Sequence, residues 1–392
     1  MLQWEHVDKT FSIKIIQRIR EVSSADWDRL LAEASPFLKW DWLDLLEETG
    51  CANEKTGWLP HHVIVEREGE LVGACPMYLK LHSMGEFVFD WDWAEYAGQM
   101  GIRYYPKLLV GVPFTPVTGP RFLTAPREDR PSLIRLLGEV LKRIAHESKL
   151  SSVHVNFCLE DEAETLQKID FAPRLGLQFH WENAGYSSFE EYLSAFHSDR
   201  RTKIRREIRE LSNQGISIRS IEGDEMRRAD LRTMFQLYRT QVDRHPYGHQ
   251  YLTEAFFEAL SRRFNPYLCL IFAQRDSQVI AGTLNVQDHA VFYGRYWGSF
   301  VEERYLHFNV CYYAAIDHCI RKGLKRFEAG AGGSFKQFRG LEPQFARSMH
   351  FIVEERFRRA VEKCLREERR AIHKKRETLL ERSQLKKASH QN

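Results

Sequence analysis

No Cys-x-x-Cys pair occurs in the 392 residues, and the seven cysteines (Cys51, Cys75, Cys158, Cys269, Cys311, Cys319 and Cys364) are scattered and odd in number. Neither a disulfide framework nor a structural metal site is expected. Most of these thiols stand in apolar runs, where cysteine acts as a small buried hydrophobe. Long hydrophobic runs are also missing: stretches such as 267–273 fall far short of the ~18–20 residues that cross a bilayer. The opening Met1-Leu2-Gln3-Trp4-Glu5-His6 has no signal-peptide core. A cytoplasmic protein without a transmembrane segment is expected, with peripheral membrane contact left open. Neither Gly-x-Ser-x-Gly nor His-Glu-x-x-His is found, so serine-hydrolase and zincin chemistries have no support. With 43% apolar and 28% charged residues, wholesale disorder is excluded as well.

The length of 392 residues exceeds the ~250–300 at which a single core stops growing, which argues for two domains. A net charge of +3 hides an asymmetry: from residue 354 onward 13 Lys and Arg face 7 Glu, or +6, leaving −3 for the rest. A second basic block holds Arg200, Arg201, Lys203, Arg205, Arg206 and Arg209. Such clusters suit phosphate, nucleic acid or an acidic membrane surface. The other reading is a solvated helix face laced by i,i+4 pairs such as Glu362–Arg366.

What the chain does contain is a repeat. An apolar strand pattern begins around 59–65, passes a charged turn at 66–70 and resumes at 71–74; the same order recurs at 267–273, 274–278 and 279–284. Each copy follows an aromatic amphipathic helix pattern, at 37–48 and at 252–264. This predicts a duplicated α/β domain with a boundary near 183–188. Further helices are expected at 131–147 and 308–322, and one charged helix from about 356 to the end.

The segment 293–340 is the richest in chemistry. A strand pattern is followed by Gly330-Ala331-Gly332-Gly333-Ser334-Phe335-Lys336-Gln337-Phe338-Arg339-Gly340. A glycine-rich turn after a strand lets backbone amides approach an anion, and Lys336 and Arg339 add charge beside it. The spacing matches neither a P-loop nor a dinucleotide fingerprint. His307 and Asn309 precede a helix and Glu328 sits on the next strand. Such a His or Glu could accept a proton from an attacking amine if desolvation brought its pKa toward neutrality; a structural hydrogen bond is the alternative. His245-Pro246-Tyr247 falls in a loop at a candidate rim position, and His61 and His62 lead into a strand.

Thr56-Gly57-Trp58-Leu59-Pro60, the run 82–91, Tyr104-Tyr105-Pro106-Lys107, the run 112–120, Tyr293-Gly294-Arg295-Tyr296-Trp297-Gly298, Cys311-Tyr312-Tyr313 and Glu328-Ala329-Gly330-Ala331 resemble the FemAB-like predicted N-acyltransferases. That family is related to the Fem aminoacyl-transferases and labelled peptidoglycan biosynthesis or recognition. The resemblance implies an α/β fold of two tandem GNAT-like domains with mixed central sheets (1–185 and 186–355) plus a basic C-terminal helix (356–392). It implies transfer of an acyl or aminoacyl group to an amine, with a peptidoglycan precursor as acceptor. Phe335-Lys336 resembles the Phe-Lys motif of those enzymes; with the residues read above, the candidate catalytic residues are Lys336, His307 and Glu328, and the candidate substrate-binding residues are Arg295, Tyr296, Trp297, Arg339, Gly332 and Gly333. Phosphate or tRNA contact falls to Arg200, Arg201, Lys203 and Arg205. No particular cofactor is singled out, and the expected donor substrate is acyl-CoA or aminoacyl-tRNA. Characterised Fem enzymes carry a helical arm inserted in the second domain, which this sequence lacks. The acetyl-CoA signature of GNAT enzymes is half present: Arg295-Tyr296-Trp297-Gly298-Ser299 starts it, but Phe300 stands where a small residue is needed for pyrophosphate to approach. An acyl-CoA-dependent N-acetyltransferase and a non-catalytic cell-wall or nucleic-acid binding module are the alternatives.

Overall fold

The computed structural model describes residues 3–4, 11–32, 35–244 and 248–386; the His245-Pro246-Tyr247 candidate lies outside them. Two compact units form. The first comprises residues 1–176 and 345–373, the second 177–344 and 374–392. The division therefore falls after Gly176 rather than near 185. The charged C-terminal helix, Glu355–Glu381, is not a body of its own. Its sparse apolar stripe explains this: Phe357, Val361 and Leu365 are buried in a cluster with Trp93, Ala97 and Tyr104 of the first unit.

In the first unit His62–Arg67 and Glu70–Cys75 form a hairpin. Its two turn residues, Glu68 and Gly69, both have positive φ, 52° and 84°. In the second unit Leu268–Arg275 and Gln278–Gln287 form its counterpart, with Asp276 and Ser277 at 51° and 66°. Two-residue turns of this hand match the right-handed twist of the flanking strands. The repeat seen in the sequence is thus the same hairpin built twice, preceded by helices Trp40–Glu48 and Glu254–Arg263.

Each unit has a mixed sheet. In the first, Trp58–Pro60, Met77–Lys80 and Lys107–Val110 pair antiparallel, Lys107–Val110 runs parallel to Ser152–Cys158, and that strand pairs antiparallel with residues 347–352. The long helix Arg130–Glu147 covers it with Leu137 and Leu141 against Val153 and Val155. In the second, Ile216–Glu222, Leu268–Arg275, Gln278–Gln287 and Val291–Ser299 form an antiparallel meander. Arg326–Glu328 then adds in parallel beside Val291–Ser299, and residues 180–182 pair antiparallel with it.

The helix expected at 308–322 starts earlier and is not uniform. It opens at Leu306–Phe308, passes through a π-helical turn, Asn309–Tyr313, and continues as Ala314–Lys322. No periodicity announces such a one-residue widening, which is frequent at functional sites.

Candidate functional site

The site grows from the parting of two strands in the second unit. Val291–Ser299 and Arg326–Glu328 are paired only as far as Tyr293 and Glu328. On its other side the long strand carries a bulge: Tyr296 faces Leu284 and Gly294 faces Asn285, leaving Arg295 as the extra residue. Bulges of this kind re-aim side chains and gather beside active sites. Arg295 lies over the Tyr296 ring at 5.3 Å, and Tyr296 meets Tyr238 at 5.3 Å between centroids.

Glu328 ends the short strand with its side chain buried, 6% exposed. Its carboxyl lies 3.8 Å from His180 Nε2 and 3.6 Å from Arg326. Burial pushes its pKa up to about 7, with Arg326 opposing the rise. His180 is driven down to about 3, first by burial and then by Arg326 and Lys336, so its ring is neutral at pH 7. Of these two, the group that exchanges a proton near neutrality is the carboxyl.

His307 stands in a cage of rings, 5.1 Å from Trp297, 5.5 Å from Tyr312 and 6.3 Å from Phe335. Burial, with Arg339 and Lys336 adding to it, lowers its pKa to about 4. It can accept a proton but is a weak base at pH 7. Of the two candidate acceptors, Glu328 is the better matched to neutral conditions.

Lys336 and Arg339, expected to meet an anion, are already engaged. The 3₁₀ helix Ser334–Arg339 turns both inward. Lys336 Nζ donates to the carbonyls of Ala329, Gly330 and Ala331 at 2.9, 2.7 and 3.2 Å, using all three of its protons, and burial lowers its pKa to about 8. Arg339 lies 3.5 Å over the Phe308 ring and donates to the Phe335 carbonyl at 2.9 Å and to Glu207 at 3.3 Å. Both cations hold the loop together. Gly332 and Gly333 have φ of 68° and 83°, so backbone conformation requires glycine there.

The basic helix Ser198–Ser212 divides by face. Arg200 donates to the Phe338 carbonyl at 2.7 Å and to Glu207 at 3.3 Å, and Arg205 pairs with Glu190 at 2.5 Å. Arg201 is half-buried and reaches the Phe196 carbonyl at 3.5 Å, while Lys203 is exposed. The residue missed in the sequence is Glu207. It accepts from Arg200, Arg339 and the Tyr313 hydroxyl, and Asn309 donates to its carbonyl at 3.1 Å. Its signal was a carboxylate standing in the apolar stripe Ile204, Glu207, Leu211.

The half-matched acetyl-CoA signature also has a structural explanation. A Cβ on Gly298 would lie 2.0 Å from the Leu237 carbonyl oxygen, so this glycine admits a helix backbone. Ser299 is still paired with Ala281, and the Phe300 amide donates to the Ile280 carbonyl at 2.8 Å. Strand pairing occupies this run. Among the described residues, no group of three or more His, Cys, Asp and Glu is placed to hold a metal ion, and no helix is long and apolar enough to cross a membrane.

Two units, each containing the same hairpin and one of them carrying a parted parallel pair, define a tandem α/β protein. The chain belongs to the FemAB-like family, described as peptidoglycan biosynthesis/recognition, whose profile matches residues 18–387. No curated protein matches it. Among solved structures it is similar to FemX at 12% identity and a TM-score of 0.53, over 87% of this chain and 98% of that one. It is also similar to a conserved protein of unknown function from Bacteroides thetaiotaomicron VPI-5482, at 10% identity and a TM-score of 0.50, over 87% and 100% of the two chains. A tandem GNAT protein from the clavulanic acid biosynthesis pathway aligns over 88% and 99% at 11% identity and a TM-score of 0.44. At these identities the FemX likeness speaks to the fold.

Proposed function

We propose that this protein transfers an acyl or aminoacyl group to a primary amine, with peptidoglycan precursors as the acceptor class, and that the second unit holds the transfer site. The observation that carries the reading is a buried carboxyl, Glu328, brought to about 7 at the point where two parallel strands part. In the reaction the acceptor ammonium first gives a proton to Glu328. The freed nitrogen attacks the donor carbonyl carbon, a C–N bond forms, and the bond from that carbon to its ester oxygen or thioester sulfur breaks. The leaving atom takes up the proton that the nitrogen sheds on becoming an amide, and Glu328 releases its own proton to solvent. Backbone amides of the parted strand supply hydrogen bonds to the oxyanion, which needs no signature side chain. Lys336 and Arg339 act as positioning residues that fix the loop following Glu328.

An aminoacyl ester is the favoured donor, because strand pairing occupies the run where a coenzyme A pyrophosphate would be held. The test offers purified protein an aminoacyl-tRNA mixture or acetyl-CoA, with a lysine-containing stem pentapeptide precursor as acceptor, and follows amide formation by mass spectrometry. Product from the aminoacyl ester, reduced at least 100-fold in Glu328→Gln, is expected from a general base of ordinary strength. Product from acetyl-CoA alone would replace the donor, and wild-type turnover in Glu328→Gln would remove the base.

A further inference from the structure

In the first unit, strands Met77–Lys80 and Lys107–Val110 are neighbours, with Lys80 directly opposite Lys107. Between them the chain leaves the sheet for residues 81–106. Like charges opposite one another destabilise a sheet, and both lysines are fully buried. The excursion brings the compensation. Lys107 Nζ donates to Glu86 Oε2 and Ser83 Oγ, each at 2.9 Å, and to Asp90 Oδ2. Tyr104 donates to the same Asp90 oxygen at 2.6 Å. Lys80 Nζ sits 3.7 Å over the Trp58 ring and donates to the Met84 carbonyl at 3.3 Å. Two buried lysines and two buried carboxylates balance only while the excursion stays docked. Arg174 fastens it further, donating to the Phe89 carbonyl at 2.7 Å and covering Trp93 at 4.9 Å.

What this anchored segment presents outward is aromatic and acidic. Helix Trp91–Gln99 turns Trp93 and Ala97 inward and exposes Trp91 (47%), Asp92, Glu95 and Tyr96 (44%), with Phe89 (65%) just before it. At i,i+4 spacing Trp91 stands beside Glu95 and Asp92 beside Tyr96. Among the described residues neither Asp92 nor Glu95 makes an ion pair, and residues 81–102 contain no Lys or Arg.

We propose that this face is a docking surface for a basic peptide segment of a protein partner. Ring faces attract the guanidinium or ammonium groups and the two carboxylates supply the opposite charge. An anionic membrane or a nucleic acid would meet both carboxylates, while the Arg174 guanidinium that touches the segment is already engaged by Glu368 and the Phe89 carbonyl; a purely apolar partner would bury unpaired carboxylates. The excursion is held before the partner arrives, so little ordering is needed on binding. This surface belongs to the first unit and the residues assigned to transfer to the second, so it stands whether or not that assignment does.

The test titrates the full chain with a hexapeptide of alternating Arg and Gly residues and follows the Trp91 indole by NMR, assigned with Trp91→Leu. Saturable shifts are expected that weaken with salt. Affinity should fall at least tenfold in Asp92→Asn/Glu95→Gln and, separately, in Tyr96→Leu, each variant being shown folded by its dispersed NMR spectrum, because Tyr96 also meets the Phe357 ring at 6.2 Å. The same peptide with citrulline in place of arginine should not bind. Equal binding of the citrulline peptide, wild-type affinity in both variants, absence of binding, or association with anionic vesicles instead would overturn the proposal.

Discussion

At Glu328 two effects oppose each other. Removing the carboxyl from water favours its protonated form, while Arg326 favours the charged one; burial wins and the proton is held to about 7. An isolated surface glutamate could not do this, which is why the role depends on where the short strand ends. Glycines in the same unit show two distinct demands at residue scale. Gly298→Ala drives a Cβ to 2.0 Å from the Leu237 carbonyl, and we expect a loss of about 3 kcal/mol or more in denaturant unfolding. Gly332→Ala meets no atom within 4 Å and is strained only by its φ of 68°, so a loss of about 1 kcal/mol is expected. Equal losses at the two positions would contradict this distinction.

Between elements, the site loop and the basic helix are joined through Glu207. Replacing it by Gln removes the charge that Arg339 and Arg200 share. A buried guanidinium without its partner costs about 3 kcal/mol, so Glu207→Gln should lower stability by that order and reduce transfer. A fully stable variant would show that Arg339 is held by other contacts. Much at this scale was legible in the sequence. The two hairpins show as matched strand patterns around polar turns, and the long helix near 131–147 shows as an apolar periodicity; the helix is Arg130–Glu147. Glu328, His307 and Lys336 stand out in the sequence as candidates, but their surroundings do not. Lys336 read as a free cation because its carbonyl partners are backbone atoms, which leave no mark in a sequence. The π-helical turn was hidden because it shifts the helical period by only one residue. The buried lysines were hidden because Lys80 and Lys107 meet through strand register across a segment of 26 residues that pattern alone does not fold.

For the molecule as a whole, buried lysines leave a mark on stability against pH. Lys336 is held near 8 in the folded state and returns to its ordinary value when unfolded. Between about pH 8 and 10.4 the unfolded chain therefore keeps a proton that the folded chain has lost, and this lysine makes stability rise with pH across that window. Lys336→Met should remove that rise from urea unfolding midpoints, and an unchanged alkaline slope would place the ammonium in water. The basic terminal helix and the basic helix at Ser198–Ser212 were read as one kind of feature in the sequence and part in the structure. The first packs Phe357, Val361 and Leu365, and the second turns Arg200 and Glu207 toward the site loop.

The most direct measurement is the pH dependence of kcat for amide formation in the wild type and in Glu328→Gln, under saturating donor and acceptor. A base near 7 must lose its proton before it can take one from the acceptor. The wild-type rate should thus climb tenfold per pH unit below about 7 and level off above it, while the variant is slow and lacks that limb. A variant that keeps both the limb and the rate would contradict the assignment of proton transfer to Glu328.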